Sequence, residues 1–186
     1  MNRRTMLKSL SAALAACAGG ASLAAAGKSE KSVEDLQKNW KTLLADGADV
    51  ATSTDPLARS DAEWRKLLTP AQYDVLRREG TEYPGSSPLD REKRAGVFAC
   101  AGCSLPLFTS AMKFDSGTGW PSFFTTIPGA LGTKRDFALV VPRIEYHCVR
   151  CGGHHGHVFD DGPAPTGLRY CNNGVALRFI PKTGKS

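Results

Sequence analysis

The sequence predicts a mainly β domain of antiparallel strands, preceded by short helices. Short β-branched or aromatic runs (GVFAC, FALVV, EYHC, VALRF) follow one another after Gly80 and are separated by Gly, Pro and Ser turns. Two short segments with helix-capping signals come before these runs. Two CxxC pairs, 44 residues apart, fit a closed metal site that would hold the sheets of such a small fold together.

Length and composition indicate one domain of ordinary size. The chain has 186 residues, of which 41% are hydrophobic and 23% charged, enough to bury a single core. The formal net charge is +6, but residues 27–186 carry only 21 basic and 18 acidic residues. Such a balance, without a long basic run or interleaved aromatic and basic residues, speaks against nucleic-acid binding.

Residues 1–26 have the layout of an export signal, with a basic start, an Ala/Leu-rich stretch and a small-residue end. NRRTMLK resembles the twin-arginine signal, with Met6 where phenylalanine is commoner, and predicts export of the folded protein to a bacterial periplasm. Cleavage before Gly27 is favoured over processing at LAAC, which would lipidate Cys17 and is the one case in which we expect membrane contact. A membrane anchor is the alternative, but two leucines in residues 11–26 make a poor bilayer span.

Residues 27–59 are predicted to form an N-terminal helix and a linker. One amphipathic helix is expected over residues 32–46, capped by Ser32 and stopped at Gly47, with one apolar face made of Val33, Leu36, Trp40, Leu43 and Leu44. We expect this helix to pack against the domain or to connect it with the export segment. Residues 48–59, rich in Ala, Asp and Thr, are interpreted as a linker.

The domain itself is predicted over residues 60–182 and begins with two helices. Ser60 and Glu63 form a capping box ahead of WRKLL. A second helix closes at Gly80 and begins with a cap, a proline at the first helical position and a box partner, which are Thr69, Pro70 and Gln72.

Four of the six cysteines are predicted metal ligands: Cys100, Cys103, Cys148 and Cys151. Each CxxC brings two sulfurs to one ion, and two such turns complete a tetrahedral site for a thiolate-binding metal, usually zinc. Two disulfides, redox-active ones included, are the alternative in an oxidising compartment. Zinc is favoured because neither CxxC opens a thioredoxin-like βαβ unit.

Cys171 is then the one uncommitted thiol. An unpaired cysteine is often a small buried hydrophobe, but here Arg169 would favour its thiolate and Asn172 and Asn173 offer amide donors. GGHHGHVFDDGP carries three of the four histidines just upstream. Since four thiolates already complete a metal site, acid/base or hydrogen-bonding roles beside Cys171 fit these histidines better than ligation.

SGTGWPSFF is a third element with a possible role at a site. Gly117 and Gly119 permit a tight backbone path, so Trp120 could form the apolar wall of a cleft. Taken alone, the large indole is more often a core residue, and burial in the core is the favoured interpretation of Trp120 by itself.

Several long motifs in order resemble the B-type methionine sulfoxide reductases, which reduce the R epimer of methionine sulfoxide. GVFACAGCSLPLF, KFDSGTGWPSF, CVRCGGHHGHVFDDGPAPTGLRYCNN and VALRF carry the resemblance, which covers residues 60–179. It implies a β-tent, Mss4-like fold of two antiparallel sheets with short N-terminal helices. It also implies the family's zinc-containing branch, with Zn²⁺ in a structural role on the four cysteines, and a thioredoxin-like or other thiol reductant as partner.

The resemblance also implies roles for individual residues. Cys171 matches the nucleophile, which becomes a sulfenic acid as the thioether leaves. His154, His157 and Asn173 match residues that bind water or the sulfoxide oxygen and help deliver the proton. Trp120 matches the residue against which the substrate's ε-methyl group packs, and Arg169 is expected to tune the thiolate or organise the pocket.

The chain departs from the family's pattern at three positions. Thr118 stands where many members have a cysteine that forms a disulfide with the oxidised nucleophile. An external thiol is therefore expected to reduce the sulfenic acid directly, and a thiol borrowed from the CxxC pairs is the less favoured alternative. His155 replaces a common leucine and Gly174 a common serine, which puts pocket polarity, loop stiffness and catalytic efficiency in question. The sequence leaves open whether the substrate is the free amino acid or an oxidised residue of an exported protein.

Two functions of other classes compete with the reductase interpretation. A non-catalytic zinc-ribbon interaction module would explain the CxxC pairs and leave Cys171 without a role. A disulfide oxidoreductase that uses a CxxC pair would keep its activity after loss of Cys171. The combined presence of Trp120, the HxxH motif and Cys171 favours the reductase over both.

Overall fold

The structure, a computed structural model, describes residues 32–137 and 142–182. The predicted export segment, including Cys17 and both processing points, lies outside the described residues, as do residues 138–141 of the predicted strand FALVV. Among the described residues, no helix has the length and apolar character needed to span a bilayer.

The N-terminal helix is shorter than predicted. Ser32 caps α1 (Val33–Lys38) through a hydrogen bond of 3.1 Å from the Asp35 N–H to its hydroxyl. The last α-helical hydrogen bond runs from the Asn39 N–H to the carbonyl of Asp35, and the Asn39 side-chain amide donates to the same carbonyl where the helix ends. A 3₁₀ turn, Trp40–Leu43, follows in place of the last predicted helical turn.

The segment after this turn lies along the domain in extended conformation. The Ala51 N–H donates to the carbonyl of Ser104 at 3.0 Å, and the Leu57 N–H donates to the carbonyl of Arg150 at 2.6 Å. The Arg150 guanidinium donates in turn to the carbonyls of Ser53 and Asp55. The segment interpreted as a linker is therefore fixed by backbone hydrogen bonds to the two CxxC turns.

Two helices precede the sheets, α2 (Asp61–Leu67) and α3 (Pro70–Arg78), and both predicted capping boxes are present. The end of α3 differs in detail from the prediction. The cap is Glu79, one residue before the predicted closing residue; it takes the left-handed conformation (φ 58°), and the Gly80 N–H donates to the carbonyl of Asp74 at 3.1 Å. Leu76 on α3 and Trp64 on α2 are almost fully buried against the sheets.

The strands form two antiparallel sheets. In the described part of the chain, a three-stranded sheet has the order β2-β1-β9 and a six-stranded sheet the order β3-β4-β8-β7-β6-β5. The strands are β1 (Gly96–Cys100), β2 (Pro106–Thr109), β3 (Lys113–Phe114), β4 (Ser122–Phe123), β5 (Leu131–Asp136), β6 (Arg143–Cys148), β7 (His154–Phe159), β8 (Arg169–Asn172) and β9 (Leu177–Pro181). Short 3₁₀ turns lie between α3 and β1 (Pro88–Arg91), between β2 and β3 (Ser110–Met112) and between β8 and β9 (Gly174–Ala176).

The core lies between the two sheets and is mainly aromatic. Phe108 of the small sheet stacks on Phe123 of the large sheet with ring centroids 4.1 Å apart, and Phe98 meets the same ring edge-on at 5.1 Å. Tyr146 approaches Phe108 from β6. Burial of each such ring contributes roughly 1.5–3 kcal/mol. The predicted fold class, mainly β with two antiparallel sheets and few helices, is confirmed.

Candidate active site and metal centre

The four CxxC cysteines lie together, as predicted. Their sulfur atoms are all within 4.8 Å of one another, and the shortest separations join different pairs, Cys100 with Cys151 at 3.6 Å and Cys103 with Cys148 at 3.5 Å. These distances exceed an S–S bond, which is about 2.05 Å long. Four ligands at a Zn–S distance of about 2.3 Å in a tetrahedron have sulfurs about 3.8 Å apart, so the cluster has the dimensions of a zinc site.

The two CxxC turns have the same backbone geometry. Ser104 donates to the carbonyl of Cys100, and Gly152 donates to the carbonyl of Cys148, each at 2.8 Å. Both donors lie in the left-handed region, with φ of 61° and 67°. Because β1 ends at the first turn and β6 at the second, the cluster joins strands from different sheets and could hold one metal ion between them.

Cys171 lies in a cleft on the six-stranded sheet. It sits on β8, opposite Ser122 of β4 and His157 of β7. Directly opposite residues of antiparallel strands share a face, so the His157 and Cys171 side chains are neighbours. The cleft has a volume of about 140 Å³ and is lined by Thr81, Trp120, Arg143, Gly156, His157, Phe159, Cys171, Asn172 and Asn173.

The surroundings of Cys171 have opposing effects on the pKa of its thiol. Burial raises the pKa of the Cys171 thiol, and this effect outweighs the nearby Arg169 charge and the Thr118 hydroxyl, both of which lower the pKa. The Arg169 guanidinium is shared, since Nε and Nη2 donate to the Asp161 carboxylate at 2.7 Å each. The Arg169 charge therefore favours the thiolate, but burial outweighs it and the free thiol remains mostly protonated near neutral pH.

Arg169→Met is expected to raise the pKa of the Cys171 thiol further, because it removes the cation that favours the thiolate. The rate of Cys171 alkylation by iodoacetamide, followed by mass spectrometry of the metal-loaded protein, should then reach its midpoint at higher pH than in the wild type. Arg178→Met, on β9 of the other sheet, is the matched control and should leave the midpoint in place. An unchanged or lower midpoint for Arg169→Met would contradict this assignment.

Each of the two predicted histidines has a carboxylate partner. Nε2 of His157 lies 2.7 Å from Oδ2 of Asp136, which also contacts Arg143 at 2.6 Å. Nδ1 of His154 lies 3.0 Å from Oε1 of the buried Glu145. A carboxylate accepts hydrogen bonds, so Nε2 of His157 carries a proton toward Asp136.

The two histidines differ in their access to the cleft. His157 lines the cleft, and burial lowers its pKa although the bond to Asp136 opposes that shift, so its ring is mainly neutral near pH 7. His154 is 3% exposed and lies behind it, with ring centroids 5.5 Å apart. The structure thus brings His157 beside Cys171 and places His154 one layer deeper.

Trp120 forms a wall of the cleft, in contrast to the core position favoured for an isolated tryptophan. Its Nε1 donates to the carbonyl of Glu82 at 3.2 Å, which fixes the indole. Gly119 has φ of 85°, and a Cβ atom there would lie 2.8 Å from the backbone nitrogen of Gly85, so the turn requires glycine on both counts.

Asn173 lies at the cleft, but its amide is already engaged. Oδ1 accepts from the Glu82 N–H at 3.0 Å, and Nδ2 donates to the carbonyl of His155 at 3.0 Å. The neighbouring Asn172 accepts from the Tyr146 hydroxyl at 2.9 Å. These bonds fix the loop after Cys171 and give both polar atoms of the Asn173 amide a partner within the protein.

His155 and Gly174, two of the departures from the family's pattern, have local explanations. His155 is fully buried beside Tyr146, and burial lowers its pKa to about 4, so it is a neutral core residue away from the cleft. A Cβ atom at Gly174 would overlap Oγ and Cβ of Ser87, so the side chain at position 87 occupies the space that a residue other than glycine would need.

Gly174→Ala is expected to lower the free energy of unfolding by about 1–3 kcal/mol, because the added methyl group overlaps Ser87. Ser87→Gly in the same chain should recover much of that loss. Urea unfolding of the single and double variants measures both effects. Gly102→Ala, whose methyl group would have contacts no closer than 3.6 Å, is the control. Equal stabilities of Gly174→Ala and the wild type would rule out the overlap.

Sequence reasoning missed several residues of the site. Three acids contact residues that the sequence had singled out: Asp136 contacts His157, Glu145 contacts His154, and Asp161 contacts Arg169. Glu82 contacts both sides of the cleft. Thr81 and Phe159 complete the lining. The position of Asp161 within HVFDDGP was a usable signal, whereas Asp136 and Glu145 meet the histidines only through the register of β5, β6 and β7.

Comparisons with known proteins agree with the predicted family. The SelR domain matches residues 68–181. A protein of Agrobacterium fabrum named peptide methionine sulfoxide reductase MsrB is 52% identical over 124 residues, which are 66% of this chain and 92% of that protein. Proteins of the same name from Methanosarcina barkeri (54% over 122 residues, 65% and 86%) and Bradyrhizobium diazoefficiens (47% over 136 residues, 73% and 98%) are similar. The chain therefore belongs to the SelR domain family, the B-type methionine-R-sulfoxide reductases.

Proposed function

We propose that the protein reduces methionine-R-sulfoxide to methionine through a sulfenic acid at Cys171. The observation that carries the proposal is the cleft itself, which sets one thiol between an indole wall and a histidine. In the overall step the thiol and the sulfoxide give a sulfenic acid and a thioether. The oxygen passes to the Cys171 sulfur, which is oxidised as the substrate sulfur is reduced, and no proton is consumed.

The residues around Cys171 supply the remaining requirements of this step. The raised pKa of Cys171 leaves the thiol protonated, so its proton must leave before attack and return to the sulfoxide oxygen as the S–O bond breaks. His157 is the neighbouring group able to hold that proton, with His154 in support behind it. The Trp120 ring receives the methyl group on the substrate sulfur, and fixing the methyl, oxygen and side chain together selects one epimer.

We also propose that the four-cysteine cluster holds a structural zinc ion. The sulfur separations and the paired turns support a tetrahedral thiolate site with no open position. Bound zinc would tie the two sheets together and take no part in sulfoxide reduction. None of the four cysteines lines the Cys171 cleft.

The reductant is proposed to be an external thiol, from a thioredoxin-like protein or another donor. Thr118 occupies the position of the family's second redox cysteine, and its hydroxyl contacts the Cys171 thiol. The four other described cysteines belong to the metal cluster, which leaves no partner for an internal disulfide among the described residues. An incoming thiolate would displace water from the sulfenic acid, and a second thiol would then release Cys171.

Reduction of separate R and S sulfoxides of a blocked methionine tests the proposed function. With dithiothreitol as reductant, the zinc-loaded wild type should turn over the R epimer alone. Without reductant it should form one thioether per chain and one sulfenic acid, which dimedone traps at Cys171. Failure of the folded, zinc-loaded protein to reduce the R epimer would refute the proposal and favour a non-catalytic zinc module.

Export to the periplasm is proposed from the amino-terminal sequence NRRTMLK and the Ala-rich stretch behind it. Oxidised methionines of exported proteins would then be the substrates. Lys in place of Arg3 and Arg4 should retain the protein in the cytoplasm of a bacterial host, as measured by cell fractionation. Periplasmic accumulation of that double variant would refute twin-arginine export.

A further inference from the structure

Glu82, in the loop after α3, connects the two sides of the Cys171 cleft through four hydrogen bonds. Its carboxylate accepts from the Gly174 N–H at 2.6 Å and from the Val175 N–H at 2.9 Å. Its own N–H donates to Oδ1 of Asn173 at 3.0 Å. Its carbonyl accepts from Nε1 of Trp120 at 3.2 Å. One residue therefore binds both the wall of the cleft and the loop that follows the nucleophile.

The sheet alone does not fix these two groups. Pairing of Ser122 with Cys171 sets the backbone of β4 against that of β8. Trp120 precedes β4, and Asn173 follows β8, so both lie just beyond the paired residues. Asn173 is tied to the sheet by its bonds to the carbonyl of His155 on β7, whereas Glu82, from outside the sheet, contacts both the indole and this loop.

The carboxylate is well suited to hold the loop. It is half-buried, and burial raises its pKa while the two backbone N–H groups lower it. Hydrogen bonds to a charged group are stronger than those between neutral groups. No neutral side chain of the same size could accept from both N–H groups in the same way, because an amide has only one acceptor oxygen.

We propose that Glu82 is a positioning residue that sets Trp120 against the loop after Cys171, and thereby sets the distance between the bound sulfoxide sulfur and the nucleophile. The proposal rests on the proposed function and adds a residue that touches neither the substrate nor the reacting sulfur. Misplacement of reacting atoms by about 1 Å costs on the order of 100-fold in rate.

Glu82→Gln tests the proposal, with Glu34→Gln on α1 as the matched control. Glu82→Gln should lower kcat/KM for the R epimer about 10- to 100-fold, mostly through kcat, since one hydrogen bond to the loop is lost. The limiting rate of Cys171 alkylation by iodoacetamide at high pH should stay within about twofold of the wild type, because this small reagent needs no indole wall. Glu34→Gln should change neither quantity.

A double-mutant cycle separates positioning from general stability. Trp120→Phe removes the hydrogen bond to the Glu82 carbonyl and keeps an aromatic wall. If Glu82 couples the wall to the loop, Glu82→Gln and Trp120→Phe together should lose less kcat/KM than the product of their separate losses. When Glu34→Gln replaces Glu82→Gln in this cycle, the combined loss in kcat/KM should equal the product of the two separate losses. Should Glu82→Gln fail to fold, Glu82→Asp, which keeps the charge on a shorter side chain, takes its place.

Three outcomes decide the proposal. A fall in kcat with non-multiplicative losses and unchanged limiting alkylation supports it. Multiplicative losses, or a kcat within about twofold of the wild type in folded Glu82→Gln or Glu82→Asp, would overturn it while the wild type still reduces the R epimer. A wild type without activity would instead refute the proposed function, on which the role of Glu82 depends.

Discussion

Cys148→Ser is expected to lose metal binding and most of the free energy that keeps the two sheets folded. A hydroxyl is a poor ligand for a thiolate-binding metal, and three sulfurs leave the tetrahedron incomplete. Structural zinc contributes about 10–16 kcal/mol of apparent binding free energy in small zinc-finger peptides, which is comparable with the total stability of an ordinary domain, about 5–15 kcal/mol. The chain should therefore be largely unfolded at 37 °C.

Metal content by mass spectrometry and thermal unfolding by circular dichroism measure this loss. Cys171→Ser is the matched control, because it makes the same chemical change at the one described cysteine outside the cluster. It should retain one zinc ion per chain and the wild-type unfolding temperature. A Cys148→Ser protein with one bound zinc ion and an unchanged unfolding temperature would show that the four sulfurs do not act as one site.

The same Cys171→Ser variant should have no measurable activity towards the R sulfoxide. Serine cannot supply a thiolate or accept the substrate oxygen on sulfur, so the reaction lacks its nucleophile. Loss of a nucleophile that acts with its neighbours reduces turnover by at least about 1,000-fold. Cys171 lines the cleft and is not part of the four-cysteine cluster. A loss of activity in Cys171→Ser would therefore not result from loss of the metal and unfolding.

Turnover with dithiothreitol, at equal metal content and equal unfolding temperature, is the required measurement. Thr118→Ser keeps the hydroxyl beside the sulfur and should stay within about tenfold of the wild type. If Cys171→Ser retained a tenth of the wild-type rate, the nucleophile would have to lie elsewhere. The CxxC cysteines would then be the next candidates, as a disulfide oxidoreductase requires.

Local features of the chain could be predicted from sequence because short-range geometry determines them. The capping boxes at Ser60 and Thr69 and the CxxC turns depend on residues within five positions of one another. Helix α1 was predicted too long because the apolar pattern continues past Asn39, whose side-chain amide donates to the Asp35 carbonyl where the helix ends. The spacing of apolar residues carries no information about such a competing side-chain bond.

Long-range features of the site required the fold. The resemblance implied one site for Cys171, His157 and Trp120, and all three side chains line one cleft in the structure. The resemblance did not reveal that burial raises the pKa of the Cys171 thiol by more than Arg169 lowers it, because desolvation depends on the surrounding packing. Glu82 was not identified from the sequence because a lone acid in TEYPG has no pattern of its own. Its partners Trp120, Asn173 and Gly174 lie 38, 91 and 92 residues further along the chain.

The link between the two CxxC turns also bears on how the chain folds. Bringing these turns together closes a loop of 44 intervening residues, which costs roughly 3 kcal/mol of chain entropy. A metal ion that binds the four cysteines early offsets this cost before the sheets form. The ends of β1 and β6 are then neighbours in the unfolded ensemble, and their long-range contacts become effectively local. Refolding should consequently be faster with the metal present than without it.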